Sequence, residues 1–588
     1  MKRLHFIRLS GAMLGGVLFT RQSAAAPAAA AAPRELIAPP TTILAGLDTG
    51  PVTLIDSGSG IWRYRDITVR LSNEGGSTSD GSNSGDSASG GSASGGSASG
   101  GSLRVEVMSP TQPLHFVRLE WNISVAGGVV LADEWERTYG DDGFRPAQPE
   151  KKMPWYCIHH QEDHKRGDQT VCFGVRTGCR SLCYWQGGGP VLRLTMDTRS
   201  GGVGVALGDR SLHAADIVVL KGKEGDSVFA TGRRFCRLMC QTPRLPRQPV
   251  YGINDWYYAY GNNNPDLILR QTALMTELAT DPGNRPFSVV DAGWAFYSPY
   301  HPGDGGWNDD FSRPNDKFKD MGKLAGDIRK LGMRPGLWMR PLCASYKDPA
   351  SLLLPAIPGR DDPKSPVLDP TIEENLERIR HNIGRYRQWG YEMVKHDYST
   401  YDIFGKWGSQ MEADMTTPGW RFRDNTRTTA EIVKGLYEAI RMAATDMYLI
   451  GCNTLSHLSA GVFELSRVGD DTSGKEWART RKMGVNTLGF RMIQHNLFYA
   501  ADGDCVGLTQ DVPWDKTRQW MQLVAGAGTP LFISAQPELV GPEQKTMIRE
   551  CFSLAARSLP PGEPLDWLMN TQPARWRLVG KIREFDWS

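Results

Sequence analysis

Residues 391 to 407 read YEMVKHDYSTYDIFGKW, and the reading of the fold turns on them. The first half has the character of a short buried strand, and alternation along an extended chain sets Lys395 and Asp397 on one face, two residues apart. A carboxylate and an ammonium side by side at the carboxyl end of a strand, followed by a polar aromatic loop, have the makings of an active-site floor. A buried ion pair can be spelled with the same letters, so the neighbouring segments have to decide.

Those segments alternate strand and helix from Pro249 onward. Strands are predicted at 250–256, 287–294, 334–341, 391–398, 447–453, 462–469, 496–506 and 529–534. Between them, Met321, Leu324, Ile328 and Leu331 share one helical face, as do Ile372, Leu376, Ile379, Ile383 and Tyr386. Asp369 and Pro370 supply an N-cap and a first helical position for the second of these helices. Eight strands with helices between them over 249–545 have the count and size of a (β/α)8 TIM barrel. In that fold, functional groups stand at the carboxyl ends of the strands. The unusual polar residues fall there: Asp255 and Trp256, Asp291 and Trp294, Trp338 and Arg340, Lys395 and Asp397, Cys452, Arg467 with Asp470 and Asp471, and Asp502 with Asp504.

Upstream, 33–248 is a succession of short alternating segments such as DITVRL, FVRLEW and VLRLTM, the pattern of an antiparallel β-sandwich. A Ser/Gly-rich tract over 74–102 cannot bury enough apolar area to offset its ordering entropy, and is read as a disordered loop between two strands. Residues 1–32 combine Lys2, Arg3 and Arg8 with a short apolar run and a small-residue stretch, which reads as a signal peptide and implies export. At the other end, 546–588 completes a helix and then reads as a β hairpin.

The 67 basic and 65 acidic residues nearly cancel, and no basic run points to nucleic acid or a membrane surface. With 18 Trp and 18 Tyr, an uncharged, ring-shaped partner fits better. Cys157, Cys172, Cys179, Cys183, Cys236 and Cys240, with His159, His160 and His164, lack the paired spacings of a structural zinc site, so no metal or cofactor is expected. An exported chain could bridge one or two pairs of these thiols.

Two separated carboxylates with tryptophan faces and cations at a barrel mouth suit glycosidic bond cleavage, one acting as nucleophile and the other as acid. Lys395 is expected to hold Asp397 ionised, and Asp470 to keep a proton on Asp471 by like-charge proximity. VKHD at 394–397, RVGDD at 467–471, VVDAGW at 289–294 and PGLWMRP at 335–341 resemble glycoside hydrolase clan D, family 36 more than family 27. The resemblance spans about residues 40 to 540 and implies a retaining α-galactosidase with a β-sandwich before its barrel. It implies Asp397 as nucleophile and Asp471 as acid/base. It assigns sugar contacts to Asp291, Trp338, Lys395 and Arg467, with Trp256, Cys452, Asp470 and Asp502 as further candidates for substrate binding. Relatives read D-D-G-W on the second strand where this chain has Ala292, so the chemistry transfers more firmly than the galactose preference. An α-N-acetylgalactosaminide or a β-L-arabinopyranoside stays open as substrate. A transglycosylase and a carbohydrate-binding protein without catalysis are the alternatives.

Overall fold

The computed structural model describes residues 37–74, 101–162, 167–296, 310–345, 348–357, 366–411 and 415–588. The proposed signal peptide and nearly all of the Ser/Gly tract lie outside the described residues. The strands that flank the tract, Ile67–Glu74 and Ser102–Met108, pair antiparallel, with Glu74 opposite Ser102.

Two antiparallel sheets, of six and eight strands, form the N-terminal domain. Their sequences alternate as a sandwich requires: in Phe116–Trp121, Val117, Leu119 and Trp121 are buried while Phe116, Arg118 and Glu120 are partly exposed. The helix Val228–Met239, capped by the Ser227 hydroxyl, carries this domain onto the barrel, where Arg233 donates to the carbonyls of Met492 and His495 at 2.9 and 3.0 Å. All ten cysteines are buried and unbridged, so the anticipated disulfides do not form. Cys183 is packed in the core strand Leu182–Gln186 as a small hydrophobic group.

The second unit is the expected barrel, built from β1 (Tyr251–Asn254), β2 (Phe287–Val290), β3 (Arg334–Met339), β4 (Met393–His396), β5 (Tyr448–Gly451), β6 (Leu465–Arg467), β7 (Ala500–Asp502), β8 (Cys505–Leu508) and β9 (Leu531–Ala535). All pairings are parallel, in the order β7-β6-β5-β4-β3-β2-β1-β9-β8. The two ends of this row are consecutive in the chain. The single strand expected at 496–506 is broken at Gly503 and Asp504, where φ of Asp504 is +71°. Its first half pairs with β6 and its second with β9, so one bent stave closes the cylinder.

Register on β4 is as alternation demands. His396 points to the helical layer, against the rings of Tyr437 and Phe463 at 5.7 and 5.4 Å, and burial without a partner pushes its pKa down to about 3. Lys395 and Asp397 on either side of it face the barrel mouth. The helix that follows β3 begins at Glu373, with Ile372 at its cap, rather than at Pro370. Asp369 is drawn into the preceding turn, where it accepts from Thr371 and from the backbone of Arg423. Beyond the helix Pro542–Ala555, a three-stranded sheet packs on the barrel through Trp576 and Trp587, both buried.

Candidate active site

The carboxyl ends of β1 to β4 and the turn after β6 surround a cavity of about 370 Å³, a volume typical of small-ligand sites. Trp256, Asp291, Ala292, Trp338, Lys395, Asp397, Asp470 and Asp471 all line it. Asp397 is the first residue past β4, and its carboxyl is held on two sides. Oδ1 accepts from the backbone N–H of Tyr398 at 2.8 Å, and Oδ2 from the Trp338 indole at 3.1 Å. The Trp338 carbonyl accepts from the Trp294 indole at 2.9 Å, which fixes the main chain that carries this donor.

Lys395 pairs with Asp291 at 2.7 Å, not with Asp397. Asp291 is itself placed by β1: Asn254 donates to Oδ2 at 2.7 Å, and Asp255 accepts from the Asp291 backbone N–H at 2.7 Å. Asp255 is wholly enclosed, and burial together with the Asp291 charge raises its pKa to about 7. Next in the wall comes Ala292, where a methyl group stands in place of the second aspartate. Gly293 must follow it: φ is +111°, and an added Cβ would lie 2.6 Å from the Gly261 carbonyl.

Asp471 stands in the turn after β6, its side chain 41 % exposed to the cavity. Arg467 Nη2 donates to it at 3.2 Å and forms an ion pair with Asp504 at 2.9 Å. Asp504 also accepts from Thr472 and from the Tyr257 hydroxyl, so it anchors the turn from below. Burial raises the pKa of Asp397 against the opposing charges of Arg137 and Lys395. The Asp471 carboxyl is lowered, because Arg467, Arg137 and Lys395 outweigh its desolvation. The expected proton retention on Asp471 is therefore corrected. Asp470 is neutralised by Arg137 at 2.7 Å and Arg479 at 2.8 Å and offers no net repulsion.

Three other expectations also change. Arg467, Cys452 and Asp502 do not reach the cavity surface. Arg467, 1 % exposed, supports Asp471 from behind, and the Cys452 thiol packs 3.4 Å from its guanidinium. Asp502 is buried under the wall, accepts from the Asp504 backbone N–H at 3.0 Å, and has its pKa pushed up to about 6 by desolvation. Arg340, at the end of β3, is likewise structural: it forms a buried fork with Asp402 at 2.6 Å.

Arg137, Tyr139, Tyr398, Trp407, Ser409 and Arg479 complete the wall and were not singled out from sequence. Tyr398 and Trp407 belong to the polar aromatic loop after β4. Arg137 and Tyr139 come from the N-terminal domain, on a strap whose Thr138 hydrogen-bonds Val468 and Asp470 at 2.9 Å each. The dense charge of Glu-Trp-Glu-Arg at 134–137, set among apolar strands, was the available signal.

No family model matches the sequence, and no curated protein matches it. Solved structures do. The α-galactosidase of Thermus thermophilus in complex with p-nitrophenyl α-D-galactopyranoside superposes with a TM-score of 0.55 at 18 % identity, over 82 % of this chain and 97 % of the other. The family 36 α-galactosidase AgaA of Geobacillus stearothermophilus gives 0.54 at 13 % identity, over 87 % of this chain and 75 % of its own. The galactosidase domain of an α-galactosidase-sucrose kinase gives 0.52 at 14 %, over 87 % and 73 %. The chain shares their fold. At such identities the likeness extends to architecture, and the chemistry has to be read from the cavity.

Proposed function

We propose that this protein is a retaining exo-glycosidase that removes a terminal α-linked galactose, or a sugar of galacto configuration, from oligosaccharides. The observation that carries the reading is the pairing of Asp397 and Asp471 in the wall of one monosaccharide-scale cavity, each oriented by its own donors. Asp397 attacks the anomeric carbon while Asp471 gives a proton to the leaving oxygen. Water deprotonated by Asp471 then releases the sugar with retention, a route that requires the carboxyls about 5–5.5 Å apart.

Sugar binding must reverse the proton placement that the raised Asp397 and lowered Asp471 carboxyls favour. A sugar that displaces water from the half-exposed Asp471 raises its pKa by desolvation, whereas Asp397 is already buried and keeps two N–H donors that favour the anion. Galactosides are the bound ligands of the Thermus neighbour, which supports the substrate class. Ala292 removes an acceptor from the wall and leaves room for variants at that position of the ring. The signal-like sequence at 1–32 supports action outside the cytoplasm.

A panel of p-nitrophenyl glycosides tests the reading, with α-galactoside, α-N-acetylgalactosaminide and β-L-arabinopyranoside as the informative members. We expect turnover of at least one of them, with the first-formed free sugar in the substrate's own anomeric configuration by proton NMR. An inverted first product, or binding without turnover across the panel, overturns it.

A further inference from the structure

Among the described residues, the sandwich domain enters the cavity wall through Arg137 and Tyr139. Their strap extends the end of β6: Thr138 bridges Gly469 in parallel, through its N–H to the Val468 carbonyl and its carbonyl from the Asp470 N–H. This backbone pairing lays Arg137 across the Asp470–Asp471 turn. Its guanidinium meets Asp470 at 2.7 Å, the Asp471 carboxyl at 3.9 Å and the Cys452 carbonyl at 3.3 Å, and lies 5.7 Å from the centre of the Trp407 ring. Only 5 % of its side chain is exposed. A fork that satisfies a carboxylate and a carbonyl at once fixes geometry as well as charge, which a lysine ammonium cannot do.

We propose that Arg137 is a positioning residue of the catalytic site, by which the N-terminal domain clamps the Asp470–Asp471 turn and presents the Asp471 carboxyl to Asp397. The proposal rests on the reading of those two acids as the catalytic pair. It makes the sandwich a working part of the site, since the barrel alone leaves Asp470 with Arg479, whose side chain is 40 % exposed.

The charges around the pair are few enough to assign. On the barrel side Asp471 faces Arg467 and Asp504 from β6 and the bend after β7, Tyr257 and Tyr260 from the helix after β1, and Lys395 from β4. Asp397 faces Lys395, Cys452 and Tyr398. Arg137 is the sole charge from the sandwich that acts on both acids among the described residues, with Glu136 and Tyr139 paired to each other beside it. A cation within about 4–6 Å lowers a carboxyl by roughly 1–3 pH units. Neutralising Arg137 therefore moves both titrations upward.

Difference infrared spectra of the carboxyl band, recorded on the full chain across pH, need no substrate; Asp397→Asn and Asp471→Asn assign the bands. In Arg137→Gln we expect both titrations to rise by about one pH unit. In Arg137→Lys they should stay near wild type while kcat on the best p-nitrophenyl glycoside falls about tenfold, because charge is kept and the fork is lost. If Arg137→Gln does not fold, Arg137→Lys carries the test through its kcat. Unshifted titrations in the glutamine variant, or a lysine variant with wild-type kcat, overturn the clamp. A wild type that turns over no glycoside overturns the proposed reaction, and the infrared result still decides whether Arg137 governs the two acids.

Discussion

Lys395 and Arg137 are both buried cations in the wall of one cavity, yet they arrive by different routes. Lys395 projects from β4, where parallel pairing to β3 and β5 fixes its register, and its partner Asp291 stands on the adjoining rim of the same barrel. Arg137 crosses from another domain on a strap tied to the barrel by two backbone hydrogen bonds. The barrel thus supplies Asp397 from the end of a stave and Asp471 from the turn after β6, while the sandwich lays Arg137 across that turn. Rigid elements place groups more precisely than loops do, so a borrowed arginine at the Asp470–Asp471 turn compensates for its loop origin.

Substitutions in the two acids test that division most severely. Asp397→Asn should lower kcat on an aryl glycoside by roughly 10⁴-fold or more, since no covalent intermediate can then form. Asp471→Asn should cost roughly 10²- to 10⁴-fold on a substrate with a poor leaving group. It should cost far less in the first step with a glycosyl fluoride, whose leaving group needs no proton. Stopped-flow measurement of both steps separates these outcomes. Equal losses for fluoride and for poor leaving groups would mean that Asp471 is not the proton donor, and that the clamp on its turn serves structure alone.

The same division explains what the sequence made legible. Barrel strands are short apolar runs with helices of clear 3.6 periodicity between them, so both the fold and the acids at the strand ends could be placed from local pattern. The break at Gly503 and Asp504 falls in Asp-Gly-Asp, a turn signal that the apolar runs on either side, FYAA and CVGL, led us to read through as one strand. Arg467, Cys452 and Asp502 sit at the right strand ends but under the floor, because strand position sets which end of the barrel a residue reaches and packing around Arg467 sets its depth. The dense charge around Arg137 was a local signal, but its role lay beyond local reading. It is 334 residues from Asp471, and its role depends on how a sandwich loop docks on a barrel turn, which no periodicity encodes.

The strap's own anchor gives the smallest and most specific prediction. Arg491 ends the helical run Trp477–Arg491 after β6, is 3 % exposed, pairs with Asp133 at the root of the strap, and donates to the Glu136 carbonyl at 3.2 Å. Burial nonetheless pushes Asp133 up to about 6, and Asp142 is raised as well. An acid whose folded pKa is raised contributes its stability below the unfolded value, near 4, and loses it as pH climbs through the folded one. At pH 5 the wild-type Asp133 is largely protonated and gains little from Arg491; at pH 8 it is ionised and depends on that pair. Arg491→Met keeps the apolar stem but removes the counter-charge, so the folded pKa of Asp133 moves further up and the penalty keeps growing past pH 6. The substitution should cost about 3 kcal/mol at pH 8, the scale of a broken buried pair, and about 1 kcal/mol at pH 5. Chemical denaturation of wild type and variant at both pH values measures the gap. A gap that fails to widen between pH 5 and pH 8 would mean that the strap is held by its backbone pairing to Val468 and Asp470, with the Arg491 charge irrelevant to the seam.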